Sequence, residues 1–213
     1  MTLWALFSTS FLVALTGALM PGPVLALTIG EATRRGPSAG PLIILGHAVL
    51  EIGLIAVLFL GLSPLFQSPV FLAVIGIAGG GGLIWMGRSG WMGARSPIPA
   101  APSAPVEAGR KRLTVLLGIA TSLSNPYWFL WWATIGLAYL GRAGASGLSG
   151  VAAFYGGHVL ADLSWYSLVS AAAARGRGAF HPGFLPWLLR GCSVFLIGLG
   201  IYFIRSGVAF WAR

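Results

Sequence analysis

Two strings in this sequence place the same polar residues at the same spacing inside apolar surroundings: Gly46-His47-Ala48-Val49-Leu50-Glu51 and Gly157-His158-Val159-Leu160-Ala161-Asp162. On a helix, a separation of four puts each histidine on the same face as its carboxylate. Acidic groups are scarce, Glu31, Glu51, Glu107 and Asp162 making up the whole set. Glu51 and Asp162 fall near the middle of runs long enough to cross a bilayer. A carboxylate at that depth costs at least about 2.5–3.5 kcal/mol, so it should face protein or water and hold a partner. Three chemistries are open to His47, Glu51, His158 and Asp162. The pairs can exchange protons near neutral pH, or compensate the charge of a ligand. They can be neutral hydrogen-bonded pairs that only fix helix packing. Two imidazoles and two carboxylates also make a ligand set for a divalent ion such as zinc, nickel or cobalt.

The elements that must position these groups are membrane spans. The chain has 213 residues, 57% of them hydrophobic and 8% charged, with a mean hydropathy of +0.87. That is too apolar for a soluble globular domain of this length. Six runs approach the roughly 20 apolar residues a span needs, over 3–32, 41–62, 69–87, 113–140, 148–173 and 186–210. The expected fold is therefore an all-α integral membrane protein with both termini on one side. The first 22 residues lack a basic start and a small-x-small cleavage site, so they read as the first span and not as a leader.

Two of the runs are interrupted, at Met20-Pro21-Gly22-Pro23 and at Ser122-Leu123-Ser124-Asn125-Pro126. Each proline lacks an N–H and clashes with the carbonyl four residues back, which leaves the carbonyls of Gly17, Leu19 and Ser122 without helical partners. In hydrocarbon such backbone is tolerated only when buried in protein or facing a polar cavity, so the breaks mark a place where something polar is held. Residues 1–87 and 113–213 each read as a broken helix, an intact helix with a His–acid pair and a Gly-rich helix. A basic, proline-rich cytoplasmic linker at 88–112 joins them. Three spans per half is an odd number, so the halves enter the membrane in opposite directions. That is the inverted-repeat plan of secondary transporters, with the ligand near the midplane where the broken helices meet.

The net charge of +9 does not indicate nucleic acid, because the thirteen Lys and Arg sit between apolar runs and form no aromatic-interleaved patch. Arg34, Arg35, Arg88, Arg95, Arg110, Lys111, Arg112, Arg175, Arg177 and Arg190 gather on one side, against Arg142, Arg205 and Arg213 on the other. Basic residues stay cytoplasmic in short loops, which puts both termini outside the cytoplasm. Trp4 and Trp211 suit one interface, and Trp85, Trp91 and Trp187 the other. Trp128, Trp131, Trp132 and Trp165 lie inside runs, where packing or lipid contact accounts for them. Tyr155 and Trp165 flank the His158–Asp162 face, with Tyr166 next to it, and such rings either pack or hold a cationic group. Glu31 reads as a solvated ion pair with Arg34 and Arg35, Glu107 and His181 as solvated, and Cys192 as packing. A nucleophile–base pair is missing, and His-x-x-x-Glu lacks the second histidine of a zinc protease helix. No enzyme and no cofactor are expected.

With Ala18-Leu19-Met20-Pro21-Gly22-Pro23, the Arg34-Arg35-Gly36 turn, and Gly118 to Asn125-Pro126 opening the second half, the chain resembles the LysE/RhtB family of amino-acid exporters over nearly its whole length. The resemblance implies an inner-membrane exporter of an amino acid or similar small metabolite, driven by the proton motive force. It implies that Pro21, Gly22, Pro23, Asn125 and Pro126 line or shape the substrate site, to which Ser124, Tyr155 and Trp165 are added as candidates. Gly46-His47 and Glu51 depart from the Gly-Asp pattern of more usual members. The expected function is proton-coupled export, with His47, Glu51, His158 and Asp162 carrying the proton; the alternative is a divalent metal transporter using the same four residues. The expected partners are the small-molecule substrate, protons and the lipid bilayer, with a homodimer left open.

Overall fold

The computed structural model describes residues 1–62, 68–93, 108–175 and 184–211, and its regular structure is helical throughout. The centre of the expected linker with Arg95 and Glu107, together with Arg177, His181 and Arg213, lies outside the described residues, as does the side chain of Trp211. We number the helices α1 (Leu3–Ala18), α2 (Pro23–Arg35), α3 (Ala39–Val57, continued by a wider turn Leu58–Leu62), α4 (Pro69–Gly93) and α5 (Ala108–Leu123). The rest are α6 (Pro126–Trp131, continued by a second wide turn Trp132–Gly136), α7 (Leu137–Gly144), α8 (Gly147–Arg175) and α9 (Phe184–Trp211).

Each expected break is present. Thr2 caps α1 by accepting from the Ala5 amide at 3.2 Å, and α1 ends before Pro21-Gly22-Pro23, after which α2 departs at 76°. Pro23 opens α2 at a position where its missing N–H costs nothing. The second break bends α5 against α6 and α7 by 65°, and Pro126 again opens the new helix. Three stretches are long and apolar enough to cross a membrane, Ala39–Gly61, Pro69–Met92 and Leu189–Ala209, and the number rises to five if each bent pair is one span. The sequence led us to expect a sixth at 148–173. That stretch is indeed one helix, α8, of 29 residues. At 1.5 Å per residue it is roughly 43 Å long, but His158, Asp162 and several serines and glycines dilute its hydropathy.

Packing follows small residues. On α4, Ala73, Gly80 and Gly87 recur every seven residues, as do Ser193, Gly200 and Gly207 on α9. A Cβ built on Gly80 would lie 2.6 Å from the Gly200 carbonyl, one on Gly200 would lie 2.6 Å from that of Gly80, and Gly87 and Gly207 meet Ser193 and Ala73 in the same way. Because the numbers rise on one helix as they fall on the other, α4 and α9 run antiparallel at backbone contact, a small-residue interface of the kind membrane helices use. Parallel contacts join α3 to α5 (the Ile43 carbonyl against Gly118, then His47 against Ser122) and α1 to α8 (the Phe7 carbonyl against Gly157, then the Ala18 carbonyl against the Tyr166 hydroxyl). The α3 and α8 helices cross antiparallel.

Gly46 and Gly157 immediately precede the two histidines, and a side chain at either position would enter a neighbouring backbone carbonyl. Gly46→Ala and Gly157→Ala should each destabilise the protein by about 1–3 kcal/mol, the usual cost of overpacking. Gly53→Ala, with open space around its position, should not. Thermal unfolding in detergent reads the difference, and equal midpoints for all three would contradict the close-approach account.

Trp4, Trp85 and Trp187 are 75%, 69% and 68% exposed, as residues at a membrane interface should be. The Glu31 ion pair differs from its solvated expectation. Arg35 Nε lies 2.7 Å from Glu31 Oε2, Glu31 is buried, and the same guanidinium donates to Thr114 Oγ1 and to the Arg110 carbonyl of α5. The pair fastens α2 to α5 because helix packing closes over it.

Candidate functional site: a four-residue histidine–acid cluster between two helix breaks

The antiparallel crossing of α3 and α8 brings both pairs into one cluster. His47 Nε2 lies 3.1 Å from Glu51 Oε1, and His158 Nε2 lies 3.0 Å from the same oxygen. Asp162 Oδ2 sits 3.6 Å from His47 Nε2 and 3.5 Å from His158 Nε2. Each histidine therefore faces its own acid and that of the other helix, with all four side chains largely buried. Spacing alone pairs each histidine with its own acid; the cross-contacts exist only because the helices meet at this level.

The broken helix α5–α6 holds the cluster from both sides of its break. After the break, Trp132 Nε1 and Trp128 Nε1 donate to Glu51 Oε1 at 2.9 and 3.2 Å. Before it, Ser122 Oγ lies 2.7 Å from His47 Nδ1 and donates to the Gly118 carbonyl at 2.8 Å. Glu51, fully buried, thus gathers indole and imidazole nitrogens around one oxygen, an arrangement suited to an ionised carboxylate. Sequence reading missed Ser122, Trp128 and Trp132. A usable signal was present, since two indoles four apart in an apolar run need acceptors and the membrane-depth acids are few.

Beside the cluster is a cavity of about 70 Å³ lined by His47, Glu51, His158, Asp162, Trp128, Trp131 and small residues of α1. A second, of about 50 Å³, lies between the breaks and is lined by Pro21, Gly22, Pro23 and Leu199. The two share Gly17, Val24, Asn125, Tyr127 and Tyr166. Both are small against ordinary ligand pockets of roughly 300–1,000 Å³. A larger apolar groove of about 340 Å³ runs between α4, α6 and α9, with the hydroxyls of Tyr202 and Ser206 as its polar side-chain groups, so the smaller pair is the candidate site. Pro21, Gly22, Pro23 and Asn125 line the space between the breaks. Four other candidates do not. Ser124 packs toward Gly82, Pro126 faces Gly79 and the apolar groove, Tyr155 donates to the Ala48 carbonyl at 2.6 Å, and Trp165 packs against the Ala18–Ile43–Tyr166 cluster.

The two breaks differ in how they end. Asn125 caps α6, its Oδ1 accepting from the Tyr127 amide at 3.1 Å. Gly22 gives α2 no side-chain cap, so the amides of Val24 and Leu25 stand open at a helix N-terminus. Two of the three carbonyls expected to be free are otherwise engaged, Gly17 accepting from Met20 N and Ser122 from Asn125 N, both at 3.1 Å, as each last turn tightens; that of Leu19 has no such bond among the described residues. At the first break the Val24 and Leu25 amides therefore remain available as donors.

Ligand atoms of His47, Glu51, His158 and Asp162 all lie within 4.8 Å of one another, which is compact enough for a cation. The metal reading is nevertheless not favoured. Two indole N–H groups already aim their positive ends at the Glu51 carboxylate, where they oppose the charge of a cation.

The comparisons agree with an exporter. A family profile described as LysE type translocator matches residues 15–207. The chain is 27% identical to the threonine efflux proteins of Salmonella typhi and Salmonella typhimurium and 24% identical to that of Escherichia coli K12. Each match covers 94% of this chain and 98% of the relative. No solved structure matches significantly. With transporter relatives along nearly its full length, apolar helices of membrane-crossing length and a polar cluster enclosed between two broken helices, the chain belongs to the LysE type translocator family.

Proposed function

We propose that this chain exports a small amino acid, threonine first among those to test, across a cytoplasmic membrane in exchange for protons. The carrying observation is the buried His47–Glu51–His158–Asp162 cluster opening onto a cavity that reaches an uncapped helix N-terminus. A zwitterion has two ends, and the site offers a partner for each. Its carboxylate sits at the Val24 and Leu25 amides, where unpaired N–H groups and the helix dipole favour an anion. Its ammonium faces Asp162, whose contacts at 3.5 and 3.6 Å are long for hydrogen bonds. The cavities of about 70 and 50 Å³ favour a small side chain.

The helix directions support an inverted repeat of two three-span halves, with α1–α2, α3 and α4 corresponding to α5–α7, α8 and α9. Under a twofold axis in the membrane plane, the α1–α8 contact maps onto α5–α3, both parallel. The α3–α8 and α4–α9 contacts map onto themselves, both antiparallel. We place both termini outside the cytoplasm. Labelling a cysteine introduced near Met1 from the outside of intact cells, and not one introduced near Arg175, is the expected pattern; the reverse overturns the orientation.

The function is tested in cells loaded with isotopically labelled threonine. Expression should speed its loss from the cytoplasm, and dissipating the pH gradient should remove that acceleration. Unchanged efflux with and without the protein, across the small neutral amino acids, would reject the export reading. An increase in zinc, nickel or cobalt tolerance would revive the metal alternative.

A further inference from the structure

We propose that Ser122 is a positioning residue that transmits the proton state of His47 to the second helix break, an inference that rests on the proton-coupled reading above. Ser122 is fully buried, lines neither cavity, and makes two contacts through one hydroxyl. Because that hydroxyl donates to the Gly118 carbonyl at 2.8 Å, it has only its oxygen to offer His47 Nδ1 at 2.7 Å, so Nδ1 carries a hydrogen. The proton positions here are assigned from the hydrogen-bond network. Nε2 of the same ring faces carboxylate oxygens at 3.1 and 3.6 Å, which a bare lone pair would repel. With the hydroxyl hydrogen on the Gly118 carbonyl His47 is the doubly protonated ring; with it on Nδ1, the same contacts fit the neutral ring.

Loss of one proton to the cavity that His47 lines, with the remaining hydrogen kept on Nε2 by the facing carboxylates, leaves His47 neutral. Nδ1 is then an acceptor, and the Ser122 hydroxyl must turn from the Gly118 carbonyl to donate to it. One rotation thus converts a proton-state change into the loss of a bond in the last turn of α5. That turn leads directly to the break: the Ser122 carbonyl accepts from Asn125 N at 3.1 Å, and Asn125 caps α6 and lines both cavities. The first break has no counterpart, since Ala14, Gly17 and Ala18 border the cavity there. The titratable groups facing His47 are Glu51 on its own helix and His158, Asp162 and Tyr166 from α8. From α5 and α6 come Ser122, Tyr127 and the indoles of Trp128 and Trp131.

The test uses the purified full chain in proteoliposomes with labelled threonine as probe, measuring uptake driven by an imposed pH gradient and, separately, threonine exchange without a gradient. Ser122→Ala should lower gradient-driven flux about tenfold, within the usual range of coupling energies. Exchange should stay within about threefold of the wild type, and Ser122→Thr, which keeps the hydroxyl, should restore coupling. If Ser122→Ala does not fold, Ser122→Cys, with its weak donor, must show the same split. Two results overturn the proposal: gradient-driven flux above half of wild type in Ser122→Ala, or an equal loss of both fluxes that Ser122→Thr does not repair. Failure of the broader reading looks different, since there the wild-type protein itself ignores the gradient.

Discussion

Glu51→Gln is expected to reduce pH-gradient-driven export at least about 100-fold while the protein still folds and inserts. Gln keeps the volume and leaves an oxygen that can accept from Trp128 and Trp132, now 3.2 and 2.9 Å from Glu51 Oε1. What disappears is the negative charge that both histidines face at 3.0–3.1 Å. Attraction between opposite charges at that range is about 4 kcal/mol in a surrounding of moderate polarity, and losing about 3 kcal/mol of it from the protonated state on the transport path already corresponds to two orders of magnitude in rate. Glu51→Ala should do worse, because it also strands the two indole donors, and its melting temperature in detergent should drop. Asp162→Asn should act on substrate affinity more than on coupling, since Asp162 has the longer contacts and the proposed ammonium to hold. The comparison is made in proteoliposomes with the gradient imposed in both directions. Gradient-driven flux above one tenth of wild type in Glu51→Gln would remove Glu51 from the proton path.

The second large effect is expected at Gly22. Its backbone is extended, at φ −151° and ψ −178°, which any residue can adopt, and a Cβ there would meet only the Met20 carbonyl at 3.7 Å. An aspartate therefore fits, and at the N-cap of α2 it would accept from the open amides as Asp does at helix starts generally. The helix should be unharmed or slightly stabilised. The substrate carboxylate, by contrast, would meet a fixed negative charge in its own site, worth about 4 kcal/mol at 4 Å in a surrounding of moderate polarity. KM for threonine should rise by more than about 100-fold in Gly22→Asp, and by about tenfold in Gly22→Ser, which caps without charge. A KM unchanged in both would move the carboxylate away from α2.

Much of this architecture could be read without coordinates because it rests on local rules. Proline breaks a helix when it stands in the interior of the run, so both bends fall where Pro21-Gly22-Pro23 and Pro126 put them. Hydrophobic run length located the six helical stretches, but α4 runs on to Gly93 and α5 begins at Ala108, so both ends of the linker expected at 88–112 are helical, and α8 is too polar to be counted as a span by composition. The Gly-His-x-x-x-acid repeats identified all four cluster residues. Reading the site wall was harder. The spacing of Tyr155 and Trp165 from His158 points to the site wall, yet helix rotation turns the first to the Ala48 carbonyl and the second into an apolar cluster. Along the chain Trp128 and Trp132 read as packing and the Gly17 and Ser122 carbonyls as free, because neither capture by Glu51 nor the tightening of a last turn is visible there.

What the sequence determined by itself was the inventory and its depth: spans, breaks, and two buried acids each with a histidine one helical turn away. Those follow from covalent geometry and from the cost of polar groups in hydrocarbon, which act residue by residue. Only the tertiary structure decided that the two pairs merge into one cluster around a single Glu51 oxygen, that Ser122 and two indoles secure it, and that α2 is the helix end left uncapped. Those outcomes depend on crossing angle and rotation, and these are set where glycines let backbones touch, between residues about a hundred positions apart.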